Sequence, residues 1–183
     1  MPIQLVEATD SPLLARPYYE GGDPGPIVAA LAHVPELLEV AMPFLGVALS
    51  PSAIPWRTKE IVILRTSAQL ECRYCVQSHT PVALDSGLSR DEVVALRGSM
   101  PADTTFTETS DVALIHWVDE VAAGRGSVSE PLRDDLRAHY EEHEVVELTL
   151  LVGATMMLNR FCTALELPTS PEVIGRLTDE GLA

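Results

Sequence analysis

At 183 residues, with 46% hydrophobic and 21% charged residues, the chain has the size and apolar content of one domain that builds its core without disulfide staples. A formal net charge of −15, with no Lys/Arg cluster to reverse it locally, opposes phosphate backbones and anionic lipid surfaces; nucleic acid and membrane are therefore not expected partners. Only 5% of residues are aromatic, which leaves Leu, Val, Ala, Ile and Met to fill the core and favours helices.

The first residues, Met1-Pro2-Ile3-Gln4-Leu5-Val6-Glu7, lack the basic and apolar regions of a secretory leader, so the expected compartment is the cytoplasm. Residues 1–25 carry Pro2, Pro12, Pro17, Pro24 and Gly21-Gly22 and read as an arm of the kind that packs on a neighbouring subunit. Residues 26–183 form the domain. Helical spacing begins at Pro26 with Ile27, Ala30 and Leu31, and Pro35 opens a second helix through Leu37, Leu38, Ala41 and Leu45. A third carries Trp56, expected in the core, with Glu60, Ile61, Leu64 and Ala68; Ile61-Val62-Ile63-Leu64 also fits a buried strand, but no partner strand appears. The next helix runs from about Cys72 to Asp85 and stops at Gly87. Ser89-Arg90-Asp91-Glu92 is a capping box for a short helix ended by Gly98, and residues 99–107 read as a loop. Helices over 109–123 and 131–140 precede a long apolar one from His143-Glu144 through Leu165, and a short one follows Pro171.

The sum is an all-α, single-domain bundle of about eight helices. The apolar run 145–158 is too short to cross a bilayer and reads as a buried helix, with Val145, Leu148, Val152 and Met156 expected at a subunit interface. Glu60-Ile61-Val62-Ile63-Leu64 and Glu144-Val145-Val146-Glu147-Leu148 echo one another, as a duplicated helix pair or as coincidence among helix formers.

The chemistry concentrates in Glu60-x11-Cys72-x2-Cys75-x3-His79, which holds two of the three cysteines. On a helix beginning at Cys72, the side chains of Cys72, Cys75 and His79 project on one face. First-turn cysteines feel the positive end of the helix dipole, which favours the reactive thiolate. Glu60 and His79 lie at comparable distances on either side of the turn near Leu70-Glu71, so in a helical hairpin the carboxylate comes level with the imidazole and can orient it. This set supplies a nucleophile, a proton carrier and a resolving thiol, and it requires an exposed or openable site, because disulfide exchange passes through a mixed disulfide. Zinc is the weaker reading of the cysteine pair, since no second CxxC or HxxxH completes a closed site; no metal and no cofactor are expected. Cys162, among Met157, Phe161 and Leu165, reads as a small buried hydrophobe. His33, His116, His139 and His143 read as surface or capping residues, and Asn159 and Arg160 as packing or solvated positions ahead of the alternative that they line a cleft or a subunit contact. Glu60 alone reads as a helix residue paired locally with Arg57 or Lys59.

With Glu60, Cys72, Cys75 and His79 in this order, and the run Arg65-Thr66-Ser67-Ala68 ahead of Cys72-Arg73-Tyr74-Cys75-Val76-Gln77-Ser78-His79, the chain resembles the carboxymuconolactone decarboxylase superfamily, in its alkyl hydroperoxidase D-like branch. The resemblance is strongest over residues 55–96, looser over 111–167 and absent before residue 25. It implies an oligomeric all-α fold in which Cys75 attacks, Cys72 resolves, and Glu60 and His79 relay protons. Tyr74 stands where that branch has a histidine, and tyrosine does not titrate near neutrality.

The function expected is a thiol-dependent peroxidase for hydrogen peroxide or organic hydroperoxides, homo-oligomeric, reset by a lipoyl-type or thioredoxin-like dithiol. A non-catalytic redox-responsive interaction protein uses the same pair without turnover. A carboxymuconolactone decarboxylase-like lyase fits less well, because the resemblance implies that such enzymes lack the cysteine pair.

Overall fold

The computed structural model describes residues 3–124 and 126–183, and among them every regular element is helical. Ten α-helices follow in order: α1 Pro26–Leu31, α2 Pro35–Leu49, α3 Trp56–Gln69, α4 Arg73–Asp85, α5 Arg90–Leu96, α6 Ala102–Thr105, α7 Thr109–Ala123, α8 Glu130–Arg137, α9 Glu142–Ala164 and α10 Pro171–Asp179. The count exceeds the expected eight. One addition is α6, a single turn inside the expected loop, where Thr104 and Thr105 hydroxyls donate back to the Pro101 carbonyl.

Helix α3 is the hub, packing against α4, α7, α9 and α5. Surrounded on nearly every side, it buries Ile61, Val62, Ile63 and Leu64 consecutively, which is why that run carries no clear helical period. Trp56, at its first turn, is exposed rather than in the core. Local pairing of Glu60 with Arg57 or Lys59 does not occur. Arg57 bonds Asp111 at 2.6 Å and also meets Glu92. Lys59 is fully buried, and its Nζ donates to the Ala48 and Ser50 carbonyls at 3.0 and 2.5 Å and to Glu147 at 2.6 Å. It thus satisfies carbonyls left open where α2 ends and ties that end to α3 and α9.

The α3–α4 hairpin is made by one residue in two roles. Glu71 adopts a left-handed φ of 53°, its N–H bonds the Ala68 carbonyl, and the Cys72 N–H bonds the Ser67 carbonyl, closing a Schellman motif. Cys72 then serves as the N-cap residue of α4. Helix α9 ends the same way: Glu166 has φ 53°, and the Leu167 N–H bonds the Cys162 carbonyl. Matching these two ends pairs Glu60 with Thr155, not with Glu144 as the expected echo would have it.

Helix α9 is 23 residues long and has the length and apolarity to cross a bilayer, beyond what the run 145–158 suggested. Its inward stripe, Leu148, Leu151, Val152 and Leu158, lies in the core. The expected interface stripe is therefore misplaced, because Leu148 and Val152 are completely buried. The outward apolar residues are Val146 and Leu150, 68% and 53% exposed, with Met157. They share the surface with Leu37, Val40, Phe44 and Val47 of α2, which packs against α9.

The N-terminal segment wraps its own chain. Ile3 and Leu5 pack on the cluster that contains all three cysteines, the Val6 N–H bonds the Ala29 carbonyl, and Tyr19 and His33 hold the carbonyls of Val6 and Gln4.

Candidate active site

Glu60, one turn into α3, and His79, in the second turn of α4, meet across the hairpin with Nδ1 3.0 Å from Oε2 and 3.3 Å from Oε1. The carboxylate is 2% exposed and the imidazole 24%, so the acid is internal and the ring reaches toward solvent. That is the geometry of an orienting carboxylate: with Nδ1 occupied, Nε2 is left to exchange protons.

Cys72 and Cys75 are reduced and only 0% and 5% exposed, so the pair is enclosed, and of the exposed or openable site expected for disulfide exchange the exposed form is not the one seen. Burial follows from the fold, because Ile3, Leu5, Ile27, Phe161 and Leu165 close over the cluster. The structure also brings Cys162 to the pair. It lies on α9 within hydrogen-bonding reach of both sulfurs, and is not an isolated hydrophobe.

The three thiols share one charge. Hydrogen bonds from the Cys162 and Cys75 thiols pull the Cys72 pKa far down, with the Cys75 backbone and Thr163 assisting and burial opposing. Cys162 is pushed up, chiefly because it donates to Cys72 and Cys75, with burial adding to the shift. Cys75 is favoured as an anion by Cys162 and Asn159, but donation to Cys72, burial and the charge on Cys72 outweigh this and raise it to about 12. Cys72 is thus the thiol driven toward the thiolate, and it stands at the N-cap of α4, where the helix dipole also favours negative charge.

Asn159 is fully buried, donates from Nδ2 to Ser67 Oγ at 3.0 Å, and partners Cys75, while its Oδ1 has no partner among the described residues. Asn159 and Cys162 are the site residues that reading the sequence missed. The available signal was an amide in an apolar helix three residues before a cysteine, a spacing that puts both on one face. Arg160, between them, is exposed. His33 ties down the N-terminal segment and His116 bonds Asp103, while His139 and His143 are exposed. Among the described residues, no group of three or more His, Cys, Asp or Glu is arranged to hold a metal ion.

Two openings approach the thiols. A groove of about 290 Å³ lies between α1, α2, α4 and α9; His79 and Tyr74 border it, and Met42, Leu45, Leu49 and Leu158 supply apolar walls. A smaller pocket of about 160 Å³ has Cys162 in its lining, with Glu71, Arg73, Thr163 and Glu166. Tyr74 borders both. Its phenol is pushed up to about 12 by burial and by the neighbouring cysteines, against a hydrogen bond with Ser78, and so stays a proton donor at neutral pH.

The carboxymuconolactone decarboxylase family model matches residues 35–115, which contain Glu60, Cys72, Cys75 and His79. YdfG of Bacillus subtilis is 25% identical over 115 residues, 62% of this chain and 77% of YdfG. A peroxidase-related protein from Silicibacter shares the fold at TM-score 0.82 and 17% identity, covering 94% of this chain and 93% of its own. The debrominase Bmp8, solved in complex with 2,3,4-tribromopyrrole, matches at TM-score 0.76 and 16% identity over 97% of this chain and 96% of its own.

Proposed function

We propose that this chain, which belongs to the carboxymuconolactone decarboxylase and AhpD-like superfamily, is a thiol peroxidase that reduces organic hydroperoxides through a Cys72/Cys75 dithiol–disulfide cycle. Membership of that superfamily supports a peroxidase-related or decarboxylase-like role. The observation that carries the finer reading is a dithiol whose second cysteine lies one helical turn before an imidazole held by a buried carboxylate at 3.0 Å.

In the cycle, Cys75 passes its proton to the Cys72 thiolate, to which it is hydrogen-bonded, and becomes the attacking thiolate, steadied by Asn159. It displaces alkoxide from the terminal peroxide oxygen and becomes a sulfenic acid; the alkoxide takes a proton from His79. Cys72 then gives up the proton it received and attacks the Cys75 sulfur. The S–S bond forms, the S–O bond breaks, and hydroxide leaves as water. From the resting state, with one thiolate and one thiol, the half-reaction consumes one additional proton, which His79 draws from solvent. Glu60 acts as a positioning residue, and Tyr74 donates to the peroxide in place of a titrating imidazole.

The apolar walls of the groove at His79 favour an organic hydroperoxide over hydrogen peroxide, since each methylene buried there contributes about 0.8 kcal/mol to binding. A dithiol of lipoyl or thioredoxin type resets the pair, in the cytoplasm, with the chain assembled as a homo-oligomer. Steady-state consumption of cumene hydroperoxide with dihydrolipoamide tests the reading. Turnover lost in Cys75→Ser supports it, whereas a single stoichiometric oxidation without turnover supports a redox-responsive interaction protein. Debromination of 2,3,4-tribromopyrrole, with no peroxide turnover, would replace the substrate class.

A further inference from the structure

Cys162 is the buried nucleophile that the peroxide cycle leaves unused. It belongs to the same enclosed cluster as Cys72 and Cys75, yet it also lies in the lining of a pocket that neither of them lines. The groove at His79 has none of the three cysteines in its lining, while the pocket between the ends of α3 and α9 has Cys162. All three cysteines are buried, Cys162 at 1% exposure beside 0% for Cys72 and 5% for Cys75, so exposure does not set Cys162 apart; what does is that it lines an opening and the other two line neither.

The backbone explains why this opening exists. Glu71 and Glu166 both hold a left-handed φ of 53° at the matching ends of α3 and α9, and both line the pocket. Such strain in a residue other than glycine is kept where the surrounding structure enforces a particular chain path. Here the two turns set Cys72 and Cys162 across from each other.

We propose that Cys162 is a third redox thiol that takes over the disulfide from Cys75 and carries it to the dithiol reductant at the second pocket. This rests on the dithiol reading above. The Cys162 thiol loses its proton and attacks the Cys72 sulfur of the Cys72–Cys75 disulfide. A Cys72–Cys162 bond forms, the Cys72–Cys75 bond breaks, and Cys75 leaves as a thiolate that takes up the proton. One thiol of the external dithiol then attacks Cys162, releasing Cys72. Its second thiol closes on the first, freeing Cys162 and leaving the reductant as a disulfide. Two electrons enter at one opening and leave at the other, so peroxide and reductant do not compete for one entrance.

The test separates this step from the peroxide chemistry by oxidising the full-length protein with diamide, which needs no peroxidase activity. Trypsin cuts after Arg73, between Cys72 and Cys75, so acid quenching, alkylation and mass mapping distinguish the linkages. The expected result is a Cys72–Cys162 linked species in oxidised wild type, and glutathione used as a monothiol probe trapped on Cys162. In Cys162→Ala, diamide still forms Cys72–Cys75, but its reduction by dihydrolipoamide slows by about tenfold or more, as exchange is forced onto a sulfur that lines neither opening. Glutathione trapped only on Cys72 or Cys75, with reduction of Cys162→Ala at the wild-type rate, overturns the proposal. If diamide results are as expected but cumene hydroperoxide forms no disulfide, the peroxidase reading fails and the relay stands.

Discussion

The shared charge of the three cysteines makes stability depend on pH in a way that independent thiols do not. In the folded state Cys72 has lost its proton, while Cys75 and Cys162 keep theirs above the ordinary range. In the unfolded chain each titrates near a pKa of about 8.5. Below that value the unfolded state binds three thiol protons and the folded state two, so the thiols add stability as pH rises, by about 1.4 kcal/mol per unit. This is the Cys72 contribution, present above its unfolded pKa and lost as pH falls. Above about 8.5 the sign reverses: the unfolded state holds none and the folded state still holds two, giving a loss of about 2.7 kcal/mol per unit. Cys162→Ala leaves one retained proton and halves the alkaline slope to about 1.4 kcal/mol per unit. Urea unfolding followed by far-UV circular dichroism from pH 7 to 9.5, with a phosphine reductant, measures both slopes. Equal alkaline slopes for wild type and Cys162→Ala would refute a shared thiolate.

Glu60→Gln keeps the shape of the side chain but removes the charge facing His79, and peroxide turnover should fall by about a hundredfold with the circular dichroism spectrum retained; a wild-type rate would remove Glu60 from the site. Glu166→Gly relieves a left-handed residue that glycine adopts freely, and should raise stability by about 1 kcal/mol, seen as a melting temperature higher by ~2–4 °C. Val146→Lys with Leu150→Lys places charge on the outward face of α9 and should shift the protein to monomer in sedimentation analysis; an unchanged sedimentation coefficient would exclude that face as the contact.

What could be read from the sequence was what the chain builds locally. The capping box at Ser89 and Glu92, the boundaries of α7 and the glycine that ends it at Gly124 all lie where neighbouring residues dictate. Glu60, Cys72, Cys75 and His79 were legible for the same reason: they occupy one hairpin, so helical rise alone brings the acid level with the ring. Asn159 and Cys162 were not, because they reach the site through α9 packing on α3 and α4, and local periodicity carries no information about which distant face arrives there. The outward stripe of α9 failed similarly. Its residues are apolar on both faces, so choosing Leu148 and Val152 over Val146 and Leu150 required knowing where α3 lies. Trp56 is a large apolar residue at a helix start, a position that composition puts inside and the fold leaves exposed.

Adding one equivalent of cumene hydroperoxide to the fully reduced protein, then trapping free thiols and weighing the tryptic peptides, tests peroxide reduction by the Cys72/Cys75 pair most directly. The account predicts a disulfide that includes Cys72, the loss of two hydrogens, one equivalent of cumyl alcohol, and in Cys72→Ser a sulfenic acid on Cys75. Three free thiols beside unconsumed hydroperoxide would contradict it.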